Sequence, residues 1–122
     1  NMILDSNILI YAIQPNYEYL IDWMLKELPS VSVITQIEVL GYHKLLLQQK
    51  VQFEVLFDNL TILPINTAIS NRAIALKQQQ KMSLGDSLIA ATALEYKMPL
   101  VTRNTQDFQW ISELLVINPI KS

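Results

Sequence analysis

The sequence contains no cysteine, one histidine and only two glycines. Without cysteine there is no disulfide, no thiolate zinc site and no cysteine nucleophile, and a reducing cytoplasm is the compatible setting. The single histidine, His43, follows Glu38 at a spacing that turns it off the same helix face. It reads as a surface or interface residue, so any acid–base chemistry falls to carboxylates, water or a metal. No Gly-x-Ser-x-Gly turn is present, which argues against a serine nucleophile. No run approaches the roughly 20 apolar residues of a membrane span, and no basic-then-apolar leader opens the chain. Asn1 ahead of Met2 reads as an added residue, with Met2 the expected start. An excess of basic charge is missing too: 9 Lys and Arg stand against 11 Asp and Glu, giving a net charge of −2 and a pI of about 5.2. General nucleic-acid binders are usually basic. Contact with nucleic acid would therefore need a local patch or follow metal binding, and the acidic balance suits a basic protein partner.

What is present is a compact globular composition. Of 122 residues, 51% are hydrophobic and 16% charged, which fits one domain spanning 1–122 with a core of its own. Residues 2–5 read as a short buried strand, followed by a helical turn from Asn7 to Ile13 that stops before Pro15. Tyr17, Ile21, Met24 and Leu28 recur at helical spacing and predict an amphipathic helix over 16–28, ended at Pro29. Val31 to Ile34 reads as a β-branched strand. A helix from Thr35 to about Leu47 follows, then another over 50–59. Leu60 to Leu63 reads as a strand closed by Pro64. Ile69, Ala73 and Leu76 mark a helix over 67–80, an Ala-rich helix covers 84–97, and Leu100–Thr102 and Leu115–Ile117 are the last strands. Strands alternating with helices predict an α/β domain with a mainly parallel sheet covered on both faces. The ligand site of such a fold lies beyond the carboxyl ends of the strands.

Four acids sit where these elements meet. Asp5 ends the first apolar run. Glu38 lies one turn into the helix after the second strand. Asp86 opens the Ala-rich helix, and Asp107 follows the strand at Leu100–Thr102. Each has a bland reading. Thr35-x-x-Glu38 and Ser83-x-x-Asp86 both fit a capping box, Asp5 could be a turn residue, and Asp107 could be a surface residue or helix cap. Taken together, all four would be delivered to one edge of one small sheet. Carboxylates gathered there without bases repel unless a cation neutralises them, and hard oxygen donors suit Mg²⁺ or Mn²⁺. Ser6, Asn7, Thr35, Ser83 and Thr102 are the neighbours placed to orient them.

Four blocks carry a resemblance. They are Leu4-Asp5-Ser6-Asn7-Ile8-Leu9, then Ser32 through Leu40 around Glu38, then Ser83-Leu84-Gly85-Asp86-Ser87-Leu88 and its Ala-rich continuation, and Leu100-Val101-Thr102-Arg103-Asn104-Thr105-Gln106-Asp107-Phe108, with Val116–Pro119 as a closing strand. In this order they resemble the PIN-domain ribonucleases, most closely their bacterial toxin branch. The resemblance runs from Met2 to Pro119. It implies a three-layer α/β/α sandwich and a Mg²⁺- or Mn²⁺-dependent endoribonuclease leaving a 5′-phosphate and a 3′-hydroxyl. In that reading Asp5 and Asp86 ligate the metal, Glu38 binds it or a metal water, and Asp107 orients or deprotonates the attacking water. The wider family can place the fourth acid where Asn104 stands. Asp107 is preferred here, with Asn104 as its hydrogen-bonding neighbour. Arg103, Lys44, Lys50 and Lys81 are the nearest candidates for contact with the RNA backbone.

The same resemblance implies a transfer or ribosomal RNA target, a homodimer, and a small antitoxin whose basic residue enters the acidic site. The apolar content of helix 16–28 places an apolar groove for that partner beside it. Two other readings stand against the nuclease. Asp5-Ser6-Asn7 faintly matches the start of an aspartyl phosphotransfer domain, although Asn7 replaces the second acid and no well-placed lysine follows. A non-catalytic PIN-like module binding RNA or protein is the other.

Overall fold

The structure is a computed structural model, and it describes residues 1–121. Five short strands carry the chain: β1 (Ile3–Leu4), β2 (Ser30–Ser32), β3 (Thr61–Leu63), β4 (Leu100–Val101) and β5 (Val116–Ile117). They form one sheet in the order β3-β2-β1-β4-β5, and every pairing is parallel. Six helices connect them: α1 (Ser6–Ala12), α2 (Glu18–Glu27), α3 (Val33–Leu40), α4 (Leu47–Asp58), α5 (Thr67–Gln79) and α6 (Leu84–Tyr96).

Successive strand residues point to opposite faces, and the two-residue strand β1 shows why the molecule has three layers. Ile3 joins a core with Leu100 and the inner faces of α5 and α6, including Ile69, Leu76, Ile89 and Ala90. Leu4 joins a second core with Val31 and Val101, built from α1, α2 and α4 through Leu9, Leu20, Met24 and Phe57. The result is an α/β/α sandwich. Ala90, Ala91 and Ala93 are wholly buried, so α6 approaches its neighbours on small side chains. The site edge follows from topology, because β1 is central and the chain leaves it toward β2 first and reaches β4 on its other side only later.

The element boundaries depart from the sequence reading in one region. The second strand stops at Ser32, and Val33 and Ile34 open α3 instead of extending it. The buried Ser32 hydroxyl accepts the Ile34 N–H at 3.2 Å and caps the helix. Thr35, read above as a cap, is therefore a buried residue inside α3. The helix also ends at Leu40 rather than running to Leu47. Gly41 closes it, and a Cβ at Gly41 would overlap the Ile37 carbonyl oxygen. The next helix begins at Leu47, earlier than its apolar pattern indicates, where Gln49 Oε1 accepts the Leu46 N–H at 3.1 Å. Two helices end on a non-glycine residue in the left-handed region: Leu28 at φ 47° after α2 and Lys97 at φ 54° after α6.

Candidate active site

The four acids come from four different elements. Asp5 is the N-cap of α1, directly after β1, and its Oδ1 accepts the Ser6 N–H at 2.7 Å. Glu38 projects from α3, and Asp86 lies in the first turn of α6. Asp107 closes a single 3₁₀ turn, Thr105–Asp107, after β4. The Ser83 hydroxyl accepts the Asp86 N–H at 3.1 Å, so the cap read from the sequence is present, and the Asp86 carboxylate faces its neighbouring acids. Asp5 is buried, Asp86 half-buried, and Glu38 and Asp107 exposed.

Electrostatics tie the four together. Burial pushes the Asp5 carboxyl up from 3.8 to about 6. The Thr102 hydroxyl bond opposes this, Asp86 and Glu38 add repulsion, and the Ser6 N–H opposes again. Asp86 is raised by its own burial first, then by Asp107 and Glu38, with Ser83 lowering it. Like charges thus meet from four elements. Among the described residues the one ion pair is Arg72–Glu95 at 2.7 Å, which involves none of the four.

Neutral groups hold the acids in place. Thr102 is wholly buried and donates to Asp5 Oδ2 at 2.7 Å. Its oxygen accepts from Asn7 Nδ2 at 3.3 Å and from the Asn104 N–H at 3.0 Å. Asn104 therefore takes part through its backbone, not its amide. Ser6 donates toward Glu38 Oε1 at 2.8 Å and lies 3.3 Å from the Thr35 hydroxyl. Asn7 Oδ1 accepts the Arg103 N–H at 3.3 Å. Both polar ends of Asn7 are thus engaged with the β4 loop, away from the role a second acid plays in phosphotransfer domains.

Gly85 is a contributor that the sequence reading passed over. It is buried in the first turn of α6, against the Glu38 side chain. A Cβ there would overlap Glu38 Oε2 and lie 3.1 Å from its Cδ. Ser6 thus holds the Glu38 carboxylate on one side, and the bare Cα of Gly85 leaves room for it on the other. The available signal was that this glycine, one of only two, sits inside a helix next to an acid, where it costs helix stability.

A cleft of about 500 Å³ opens over Asp86 and Asp107, lined also by Lys81, Ser83 and Gln106. Of the four cations named from the sequence, Lys81 lines this cleft. Arg103 is anchored beside Asn7, while Lys44 lies in the loop after α3 and Lys50 on α4, both outside the cleft lining. His43 is exposed and packs edge-on to Tyr42. On the other side of Glu38 runs an apolar groove of about 650 Å³, lined by Ile10, Ile13, Val39, Tyr42, Leu46 and Phe53 among others. It lies between α1, α3 and α4. The sequence reading placed such a groove beside residues 16–28, where Leu20 and Met24 are buried while Leu25 and Leu28 stay exposed.

The donor set fits a hard divalent cation. All four groups are carboxylates, none is in an ion pair among the described residues, and burial already strains the charge on Asp5. Among the described residues no three acidic, imidazole or thiol groups are drawn close enough to cage an ion as they stand.

A family model described as "PIN domain" matches residues 2–113. The chain belongs to the PIN domain family. Its sandwich is shared by a toxin–antitoxin complex from Klebsiella pneumoniae, 31% identical and covering 100% of both chains with a TM-score of 0.80. The structure of VapBC-1 from nontypeable Haemophilus influenzae is 25% identical, covers 96% of each chain and has a TM-score of 0.78. A stretch of 46 residues is 46% identical to "Ribonuclease VapC" of Rickettsia bellii (strain RML369-C), covering 37% of this chain. That match spans about a third of the relative's length, 34%. In this PIN domain the four acids stand at the carboxyl edge of the parallel sheet, where open α/β folds bind their ligands.

Proposed function

We propose that this PIN domain is a metal-dependent endoribonuclease acting as the toxin of a toxin–antitoxin pair. One observation carries the reading: carboxylates from four elements repel one another at one sheet edge, and none of them is in an ion pair among the described residues. Asp5 and Asp86 would hold Mg²⁺ or Mn²⁺, with Glu38 beside them. Bound there, the ion would supply a Lewis acid that polarises the scissile phosphodiester and favours a hydroxide nucleophile. Asp107, exposed at the cleft rim, would orient the attacking water and take its proton. Thr102 and Ser6 keep Asp5 and Glu38 aimed, and Lys81 and Arg103 would steady the RNA backbone. The names of the relatives, one a ribonuclease and others in complexes with antitoxins, support the same reading.

The groove continuous with Glu38 is the surface for the antitoxin. An apolar segment seated between α1, α3 and α4 would bring a basic side chain to the acids and silence them. A homodimer and a cytoplasmic setting belong to this proposal. No helix among the described residues is long and apolar enough to cross a membrane.

The test is cleavage of structured RNA by the purified chain. Activity should require Mg²⁺ or Mn²⁺, stop with chelator and be lost in Asp86→Asn, which keeps a polar side chain in the first turn of α6. Undiminished cleavage by the double variant Asp5→Asn, Asp86→Asn would refute the nuclease. Folded protein that binds RNA and never cuts it would favour the non-catalytic module.

A further inference from the structure

A strip of tyrosines leads away from the acid cluster. Asp5 is bonded to Thr102, Thr102 to Asn7, and Asn7 to the backbone of Arg103. The Arg103 guanidinium lies 5.3 Å from the centre of the Tyr11 ring. Tyr11 packs against Tyr17 with centroids 5.1 Å apart, and Tyr17 against Tyr19 at 6.2 Å. Lys121 Nζ sits 4.8 Å over the Tyr19 ring, and the Lys121 backbone N–H donates to the Tyr19 hydroxyl at 3.0 Å. The strip therefore begins and ends with a cation.

These rings do more than fill the core. The three phenylalanines, Phe53, Phe57 and Phe108, are all buried, whereas Tyr11, Tyr17 and Tyr19 are each half-exposed. No buried side-chain polar atom among the described residues lacks a partner. The hydroxyls of Tyr11 and Tyr17 bond to no protein group among those residues, so they face water. Arg103 and Lys121 are exposed and take no part in the one ion pair found among the described residues. On a protein of net negative charge, two free cations spaced along three aromatic rings match a flexible polyanion that carries flat apolar faces.

We propose that Tyr11, Tyr17 and Tyr19, with Arg103 and Lys121, form a track for single-stranded RNA running out from the active site. The assignment rests on the nuclease reading for its choice of RNA. Phosphates draw the two cations off the ring faces, and unpaired bases stack along the strip, on Tyr17 and on the two faces so freed. Paired bases cannot do this, because their faces are covered within the helix. Stacking on aromatic rings is tolerant of sequence, so the track holds a strand without choosing the cut site. Choice would fall to groups nearer the acids.

The test uses the non-cleaving Asp86→Asn chain and a fluorescein-labelled ten-nucleotide RNA without secondary structure, read by anisotropy. An abasic ribose-phosphate oligomer of equal length is the control. Tyr17→Leu, which keeps apolar bulk, should raise Kd for the RNA by at least about five-fold, the low end of one base–aromatic stack. Tyr17→Phe should bind like its parent. The abasic oligomer should bind more weakly and ignore Tyr17→Leu. Lys121→Gln, a surface change, should weaken binding and reduce its salt dependence. Equal binding of RNA by folded Tyr17→Leu, or equal binding of RNA and abasic oligomer, would overturn the track and leave the strip a protein-facing surface. Cleavage of structured RNA by the unmodified chain with Mn²⁺ is scored separately. Cutting without an effect at Tyr17 defeats the track alone, whereas Tyr17-dependent binding without cutting defeats the nuclease alone.

Discussion

Removing the charge of Asp5 should make the metal-free protein more stable. Asp5 is 6% exposed, and its pKa stands at about 6 in the fold against 3.8 for the ordinary group. The folded form therefore binds more protons than the unfolded chain between those values, and stability falls as pH rises through that window. Above it the full cost applies. The rise of about two units corresponds to roughly 3 kcal/mol at 1.36 kcal/mol per unit. Asp5→Asn removes this cost but meets the Thr102 hydroxyl, whose oxygen already accepts from Asn7 and Asn104 and whose proton points at position 5. An amide NH₂ there faces a donor, a loss of about 1 kcal/mol. The net gain is about 2 kcal/mol. With an unfolding entropy of roughly 2.1 cal/mol/K per residue, that raises Tm by about 8 °C. Thermal melts in chelator from pH 4 to pH 8 provide the assay. Near pH 4 the variant should melt with the parent or slightly below it, and the gap should open by pH 7 and then stay flat. Mg²⁺ or Mn²⁺ should raise Tm of the parent and not of the variant. A gap that does not change with pH, or a variant less stable than its parent at pH 8, would refute the argument.

Three further outcomes are expected. Asp107→Asn should slow single-turnover cleavage by about 100-fold, the low end of general acid–base contributions, whereas Asn104→Ala should do less, since alanine keeps the N–H that Thr102 accepts; the reverse ranking would move the role to position 104. Gly85→Ala should leave Tm within a few degrees, because better helix propensity offsets the crowding, yet displace Glu38 and weaken the Mn²⁺-induced rise in Tm, with partial recovery when Glu38→Asp shortens the partner. Lys97→Gly should stabilise the fold by about 0.5–1 kcal/mol, by relieving a side chain from the left-handed region at the end of α6, and denaturant melts should show a higher midpoint at unchanged slope.

The order of elements was legible because buried parallel strands and amphipathic helices write different periods into the chain. Asp5 and Asp86 were legible for a related reason, as polar residues fixed to the ends of apolar elements. Val33 and Ile34 misled because β-branching favours a strand, while the decisive fact, a buried Ser32 oxygen facing a free N–H, belongs to the folded state. Gly85 was invisible as a neighbour of Glu38, because α3 and α6 meet only after the sheet forms. Helical spacing gave residues 16–28 an apolar face without saying how much of it the fold would cover. The tyrosine strip escaped for the same reason: Arg103 and Lys121 reach its two ends only in three dimensions.

The central position of β1 has a consequence for the order in which a newly made chain gathers its acids. Asp5 leaves the ribosome well ahead of its Thr102 partner, which lies 97 positions later. Contacts of such sequence separation form after local ones, since a long loop must close before they are made. Helices α1 to α5 can be shaped while Asp5 still lacks both β4 and Asp86. The four acids are gathered only when β4 docks along β1 and the 3₁₀ turn behind it brings Asp107 round. On this scheme an unfinished chain holds no assembled acid cluster, and the groove between α1, α3 and α4 is shaped before the four acids are gathered.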